Sequence, residues 1–341
     1  MREVFWHPDL ELPQRPRVVA LGAFDGMHRG HESTIGRMRA LAREAHAEAT
    51  VLTFDPSPRE FVEGVRQPGR RLTTVREQMC RLGELGVDLS VVIEFPGNIR
   101  EIEPEDFVRD VLVGQLSATC VCASESHRFG RGGRGDLALL RMLGEQQGFE
   151  VVVIQPVVAE GERISSTRIR DLLAAGEVTP AAALLGRPYP IIAAVMAGHG
   201  MGTKLGFPTA NLRIPPEKLV PADGVYAGWA GRTAGECARV DQPRPGAIHI
   251  GPAPTLGRDA HAVEVHLVGE HCDLLGVEIR VEFLRRLRES RAFPSREALI
   301  EQIGRDVVQT ARIAAETGPW CTREYLAQRP PPAAGSGALE S

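Results

Sequence analysis

Between residue 17 and about residue 156 the chain alternates β-branched apolar runs with helical patterns, and this alternation limits its fold more than any other feature. The runs are RVVALG (17–22), ATVLTF (49–54), LSVVIEF (89–95), ATCVCA (118–123) and FEVVVIQPV (149–157), separated by segments such as ESTIGRMRALAREAHA and REQMCRLGELG. Short continuous apolar runs need cover on both faces, and the intervening helices supply it. The expectation is an α/β domain with a doubly wound, mostly parallel sheet. Ligands in such sheets bind outside the carboxyl ends of the strands.

After ISSTRIRDLLAAGEVTPAAALLG the texture changes. From Pro188 to about Phe283 short strand patterns (YPIIAAVMAG, GVYAGWAG, GAIHIG, HAVEVHLVG, VEIRVEFL) are separated by Gly and Pro, which predicts a small antiparallel β-barrel or sandwich. A helical segment, SREALIEQIGRDVVQTARIAAE, follows it, and AQRPPPAAGSGALES has the composition of a disordered tail. A length of 341 residues accommodates two cores of ordinary size. The expected division is 1–186, 187–326 and a tail at 327–341.

Forty basic residues against 44 acidic ones give a net charge of −4, with no long block of one sign, so neither nucleic acid nor an anionic membrane is an expected partner. The apolar runs fall well short of the roughly 20 residues that span a bilayer. MREVFWHPDL lacks the basic-then-apolar order of a signal peptide, and a cytoplasmic protein is expected. The six cysteines are scattered; Cys120 and Cys122 would share one face of a strand, which suits a reduced, buried lining better than a metal site.

The stretch GAFDGMHRGHEST (22–34) sits where the first strand pattern turns into a helix pattern. A helix start presents free N–H groups and a positive dipole end, a natural seat for phosphate. Imidazoles three residues apart, His28 and His31, can both reach such a ligand and donate to oxygens that gain charge as phosphorus is attacked. Surface or capping histidines, or a zinc site without an HExxH pattern, are the plainer alternatives. Gly22, Phe24, Asp25, Gly26 and Gly30 frame the pair.

In ISSTRIR (164–170), Ser165, Ser166 and Thr167 are good helix caps for the segment that follows, and with Arg168 they equally form a phosphate clamp. AGHGMGTKLGFPTANL (197–212) places Gly198, Gly200, Gly202 and Gly206 around Lys204 and ahead of PTAN. Its glycines let backbone amides approach a nucleotide closely, although a hairpin connection would use them too.

GAFDGMHRGH resembles the first motif of the HxGH nucleotidylyltransferases. Its FDGMHRGH spelling is most similar to the adenylyltransferase module of bacterial bifunctional riboflavin kinase/FAD synthetases. TFDPSPREF (53–61), RFGRGGRGD (128–136) and ISSTRIR follow in the family's order, and GFPTAN, VPADGVYAGW and VEVHLV resemble its riboflavin kinase module. The resemblance implies phosphorylation of riboflavin to FMN in the second domain and adenylylation of FMN to FAD in the first, with ATP and Mg²⁺ serving both. It implies His28, His31 and Arg168 as catalytic residues of adenylyl transfer, with Gly22, Phe24, Asp25, Gly26, Ser165, Ser166 and Thr167 around the nucleotide. For the kinase it implies Thr209 and Asn211 as Mg–ATP ligands, Gly200, Gly202 and Lys204 in the nucleotide loop, and Glu264 as general base.

The chain departs from the family pattern at ASESH (123–127), where Ser124, Ser126 and His127 replace Gly, an Asp or Asn, and an aromatic residue. HIGPAPTL carries His249 and Leu256 where NIGxxPTF is usual, and DLLG carries Leu275 for a tyrosine. A modified flavin acceptor, a single active module, or a non-catalytic flavin- or nucleotide-binding regulator are the alternative readings.

Overall fold

A computed structural model describes residues 1–56, 69–94, 98–198, 200–234, 239–252, 261–269 and 274–320. The described chain forms two compact units. The first contains the described residues of 1–56 and 78–164; the second contains 69–77 and 165–320. The tail expected at 327–341 lies outside the described residues, as do residues 57–61 of TFDPSPREF, Leu256, Cys237, Cys272 and Cys321.

The first unit is built on six parallel strands, β1 (Arg2–Phe5), β2 (Arg17–Leu21), β3 (Glu48–Asp55), β4 (Leu89–Glu94), β5 (Ala118–Ser124) and β6 (Glu150–Ile154), in the order β1-β4-β3-β2-β5-β6. Helices α1 (Arg29–Glu44), α2 (Val75–Glu84), the π-helical α3 (Phe107–Gln115) and α4 (Leu137–Gln147) lie between them in sequence. All five strands expected in this region are present; β1, too short and polar to stand out, adds the edge. On β2, Val19 and Leu21 join one cluster with Val91 and Ile93 of β4 and Phe107, Val111 and Leu112 of α3. The intervening Val18 and Ala20, and the β5 thiols Cys120 and Cys122, are buried as well. That two-sided burial is what the uninterrupted apolar runs encode.

The order reverses beside β2: the chain proceeds from β2 to β3 and β4 on one side, then crosses to β5 and β6 on the other. A crevice therefore opens at the carboxyl ends of β2 and β5, whose register pairs Ala20 with Cys122.

The second unit is a closed antiparallel barrel, β10-β13-β12-β11-β14-β9, preceded by α5 (Ser166–Ala174) and α6 (Val178–Leu185) and followed by α7 (Arg296–Thr317). Its strands are β9 (Tyr189–Met196), β10 (Ala210–Arg213), β11 (Gly224–Ala234), β12 (Arg239–Pro252), β13 (His261–Leu267) and β14 (Glu278–Arg288). A hairpin of β7 (Val158–Ala159) and β8 (Glu162–Arg163) precedes α5 in sequence. Ile248 and Ile250 of β12, and Val263 and Val265 of β13, are buried and fill the barrel, so the alternate residues His249, Glu264 and His266 point to its outer side. Helix α7 packs against β11, β12 and β14. Ser295 caps it by accepting from Ala298 N at 3.1 Å.

Inside this unit the Lys218 ammonium is fully buried. It donates to Leu72 O (2.7 Å) and Glu77 Oε2 (2.6 Å), and lies 4.4 Å from the Tyr189 ring centroid. Glu77 also accepts from Ile192 N (3.0 Å) and Thr74 N (2.9 Å). The segment at 69–77 is thus tied into the barrel by a satisfied buried ion pair.

Candidate active sites

In the first unit, Gly22 N extends the β2–β3 ladder by donating to Leu52 O (3.2 Å), and the chain then leaves the sheet. Phe24 (φ 50°), Gly26 (φ 85°) and Met27 (φ 44°) take left-handed backbone conformations. For Phe24 and Met27 such geometry is costly, and surrounding structure has to hold it. Gln78 Nε2 and Thr53 Oγ1 supply part of that support, donating to Ala23 O at 2.8 and 3.3 Å.

The loop delivers His28 to the N-cap of α1, where its Nδ1 accepts from His31 N at 3.3 Å. That bond puts the proton of the neutral His28 ring on Nε2, leaving a donor on the far edge. The two imidazoles stack with centroids 3.7 Å apart and planes 14° from parallel, and Phe24 meets His31 edge-on at 5.4 Å. Gly30 leaves the stack its room, because a Cβ there would lie 3.1 Å from the His28 ring. One turn on, Glu32 is buried and paired with Arg81, which also bonds Glu84 at 2.8 Å. This pairing anchors the start of α1 against α2.

The loop after β5 carries the ASESH departure to the neighbouring carboxyl end. His127 N donates to Ser124 O (3.0 Å), and the His127 ring stacks with Phe129 at 6.2 Å. Burial pushes the His127 pKa down to about 4, so this imidazole is neutral at physiological pH.

Ser165, Ser166, Thr167 and Arg168 open α5, which groups with the second unit. Ser165 is the N-cap, accepting from Arg168 N at 3.3 Å, so the capping reading of ISSTRIR is realised for that hydroxyl. Ser166 and Thr167 are the first residues of the helix.

The outer side of the barrel and α7 enclose a cavity of about 790 Å³, lined by Gly202, Lys204, Thr209 and Glu264 among others. The volume suits a drug-sized or cofactor-sized ligand. Backbone register sets one cross-strand row along its wall: Asn211 opposite Glu264, Glu264 opposite His249, His249 opposite Val225, and Val225 opposite Arg288. Antiparallel pairing with period-two alternation brings these residues, spread over nearly 80 positions, to one face. Asn211 stands beside Glu264 in that row, although it is not part of the cavity lining, and neither is Gly200.

The glycine-rich loop expected to bind nucleotide includes the helical turn Met201–Lys204. A Cβ on Gly202 would come within 2.4 Å of Phe207 O and 2.9 Å of Thr209 Oγ1, so glycine is what allows the turn to close over the threonine hydroxyl. Arg296 of α7 ties the turn down by donating to Lys204 O at 2.5 Å.

Several lining residues were not anticipated from the sequence. His266 donates from Nδ1 to Pro208 O (2.9 Å), bracing PTAN, and meets Phe207 edge-on. At the end of the row Arg288 grips Asp306 of α7 (Nε–Oδ2 2.9 Å, Nη2–Oδ2 2.7 Å), and Gln302 donates to the same carboxylate at 2.8 Å. Leu299, Ile303 and Asp306, spaced by four and three along one helix face, were the available signal.

Among the described residues no group of three or more His, Cys, Asp and Glu side chains is placed to hold a metal. No described helix is long and apolar enough to cross a membrane.

Comparison with known proteins matches residues 11–168 to the FAD synthetase family model and residues 185–314 to the riboflavin kinase model. The bifunctional riboflavin kinase/FMN adenylyltransferase of Escherichia coli K12 is 33% identical over 309 residues, covering 91% of this chain and 96% of the relative. The protein of the same description from Pseudomonas fluorescens is 36% identical over 311 residues, covering 90% of this chain and 96% of its own length. A crystal structure from Streptococcus pneumoniae, described as a macrolide-efflux protein, superposes with a TM-score of 0.79 at 26% identity, covering 91% of this chain and 98% of that one. Two module matches in tandem, and relatives matched over about nine-tenths of this chain, agree with the order of the motifs it carries. The chain belongs to the bifunctional riboflavin kinase/FMN adenylyltransferase family.

Proposed function

We infer that this chain phosphorylates riboflavin to FMN at the barrel cavity and adenylylates FMN to FAD at the β2–α1 loop, with ATP the donor in both reactions. The observation that carries the reading is the cavity wall itself, on which Thr209 and Glu264 face one space beside the Gly202 turn.

In the kinase step the terminal ribityl hydroxyl attacks the γ-phosphorus of ATP. The new O–P bond forms as the bond from γ-phosphorus to the β–γ bridging oxygen breaks, and ADP leaves. Glu264 takes the hydroxyl proton, which makes a poor nucleophile competent. The Thr209 hydroxyl and Asn211 amide oxygen are hard donors of the kind Mg²⁺ takes, and would hold it beside the ATP phosphates. When bound, that ion neutralises charge on the phosphates. Lys204 and Gly202, which line the cavity, would face the same phosphates, with Gly200 at the start of their turn.

In the adenylyl transfer an FMN phosphate oxygen attacks the α-phosphorus of ATP and pyrophosphate leaves. His28, through its Nε2–H, and His31 donate to the oxygens that gain charge, while Gly22, Phe24, Asp25 and Gly26 shape the nucleotide seat. The family resemblance implies that Arg168, with Ser165, Ser166 and Thr167 beside it, binds phosphate, a role that a guanidinium and a helix start suit. Dependence on ATP in both steps supports a cytoplasmic setting for the chain.

Incubation with ATP, Mg²⁺ and riboflavin, followed by chromatography, tests the reading. FMN should accumulate first and FAD follow. Formation of neither would refute it, and FMN without FAD would confine activity to the barrel and implicate Ser124, Ser126 and His127 in the loss.

A further inference from the structure

His249 has no task in the phosphoryl transfer just described, yet it stands next to the proposed base. It lies on β12 opposite Glu264 of β13 on one side and Val225 of β11 on the other, and its imidazole lines the cavity. Opposed residues on antiparallel strands hold their Cβ atoms about 5 Å apart, within reach of a carboxylate and an imidazole. Nε2 is 3.3 Å from Ser290 Oγ, in the connection that brings Arg291 and Phe293 to the same cavity. The strand carrying Glu264 lies between those of His249 and Asn211.

The charged groups facing the ring come from three elements: Glu264 from β13, Arg288 from β14, and Asp223 ahead of β11. On α7, Asp306 is engaged by Arg288. Burial lowers the imidazole's proton affinity; Glu264 raises it, Arg288 lowers it and Asp223 raises it, with a net value below the ordinary one for histidine. The ring is neutral at neutral pH and acquires its proton on acidification.

We propose that His249 is a positioning residue of the kinase site: neutral, it anchors Ser290 and leaves the Glu264 carboxylate to the ribityl hydroxyl; protonated, it takes Glu264 as its ion-pair partner and withdraws it from proton abstraction. The inference rests on Glu264 being the base. It makes riboflavin phosphorylation sensitive to acid in a way that adenylyl transfer, which does not involve this row, is not.

The test is the pH profile of kcat/KM for riboflavin phosphorylation by the full chain and by His249→Asn and His249→Lys, with FAD formation from FMN measured in the same preparations. Asparagine, which takes up no proton, should remove the imidazole's contribution and move the acid limb to lower pH by about one pH unit. Lysine, a permanent cation, should lower kcat at neutral pH by about tenfold with little change in KM for riboflavin. The pH profile of FAD formation should match the parent in both variants. An asparagine profile superimposed on the parent's, or a lysine variant with the parental kcat, overturns the proposal. So does loss of phosphorylation at every pH in both His249→Asn and His249→Gln, which would assign the ring a direct part in the reaction. Glu264→Gln separates the two levels: retained phosphorylation removes the base assignment itself, whereas its loss alongside an unshifted His249→Asn profile removes only the role of His249.

Discussion

The His28 and His31 rings lie parallel within 14° at 3.7 Å, while the Nδ1 of the first accepts from the backbone N–H of the second. One hydrogen bond therefore caps α1 and, with Nδ1 accepting, leaves Nε2 as the donor nitrogen of the neutral His28 ring. His28→Ala should lower FAD formation by about 100-fold or more through loss of a donor to the transition state. The lost cap should destabilise the first unit by about 1 kcal/mol. FMN formation, measured in the same assay, should be unaffected; an equal fall in both products would contradict the division of labour between the units.

Gly202→Ala places a Cβ against Phe207 O at 2.4 Å and against the Thr209 hydroxyl at 2.9 Å. The turn has to open, and the hydroxyl moves with it. The expected outcome is a fall of about 10- to 100-fold in kcat/KM for riboflavin phosphorylation, since small displacements of positioning groups have effects of that size. Steady-state kinetics with varied ATP will show it, and parental values would mean that the loop does not contact the nucleotide.

Glu77→Ala leaves the fully buried Lys218 ammonium without its carboxylate. Removing one partner of a buried pair costs about 3–5 kcal/mol. Thermal unfolding should show a marked loss in the second unit's transition. The double variant Glu77→Leu with Lys218→Met should recover much of it, because a buried apolar pair has no charge to desolvate. If the single variant melts like the parent, the pair is not structural.

His127 carries a pH signature in stability. Its pKa is pushed down to about 4 in the folded state against 6.5 ordinarily, so the unfolded chain binds more protons over that interval. Stability of the first unit is therefore fully present above about 6.5, declines as the pH falls, and has lost this contribution below about 4. His127→Phe should flatten the dependence of melting temperature on pH across that window. An unchanged slope in the variant would locate the acid sensitivity elsewhere.

Most of the architecture is legible in the sequence. The five apolar runs of the first half read as buried parallel strands because both of their faces need apolar side chains, and the second half reads as a small antiparallel barrel or sandwich because Gly and Pro punctuate its short strand patterns. One strand of each main sheet is not legible in the sequence, for physical reasons, and neither is the β7–β8 hairpin of two-residue strands. β1 (Arg2–Phe5) is short and mostly exposed, so it carries little hydrophobic signal, and β10 (Ala210–Arg213) follows directly on PTAN, whose turn residues mask it.

By itself the sequence determined the local chemistry: a strand-to-helix loop bearing two imidazoles, a glycine-rich turn before PTAN, and a carboxylate on an alternating strand. Those properties depend on neighbours within a few residues, so motif spacing records them. Only the tertiary structure decided which distant residues meet. The row from Asn211 through Glu264 and His249 to Arg288, and the closing of that row by Asp306 of α7, exist because antiparallel register and helix packing bring them together. Register is set by which faces must be buried and by how the strands pair around the closed barrel, and neither is written at any one position in the chain.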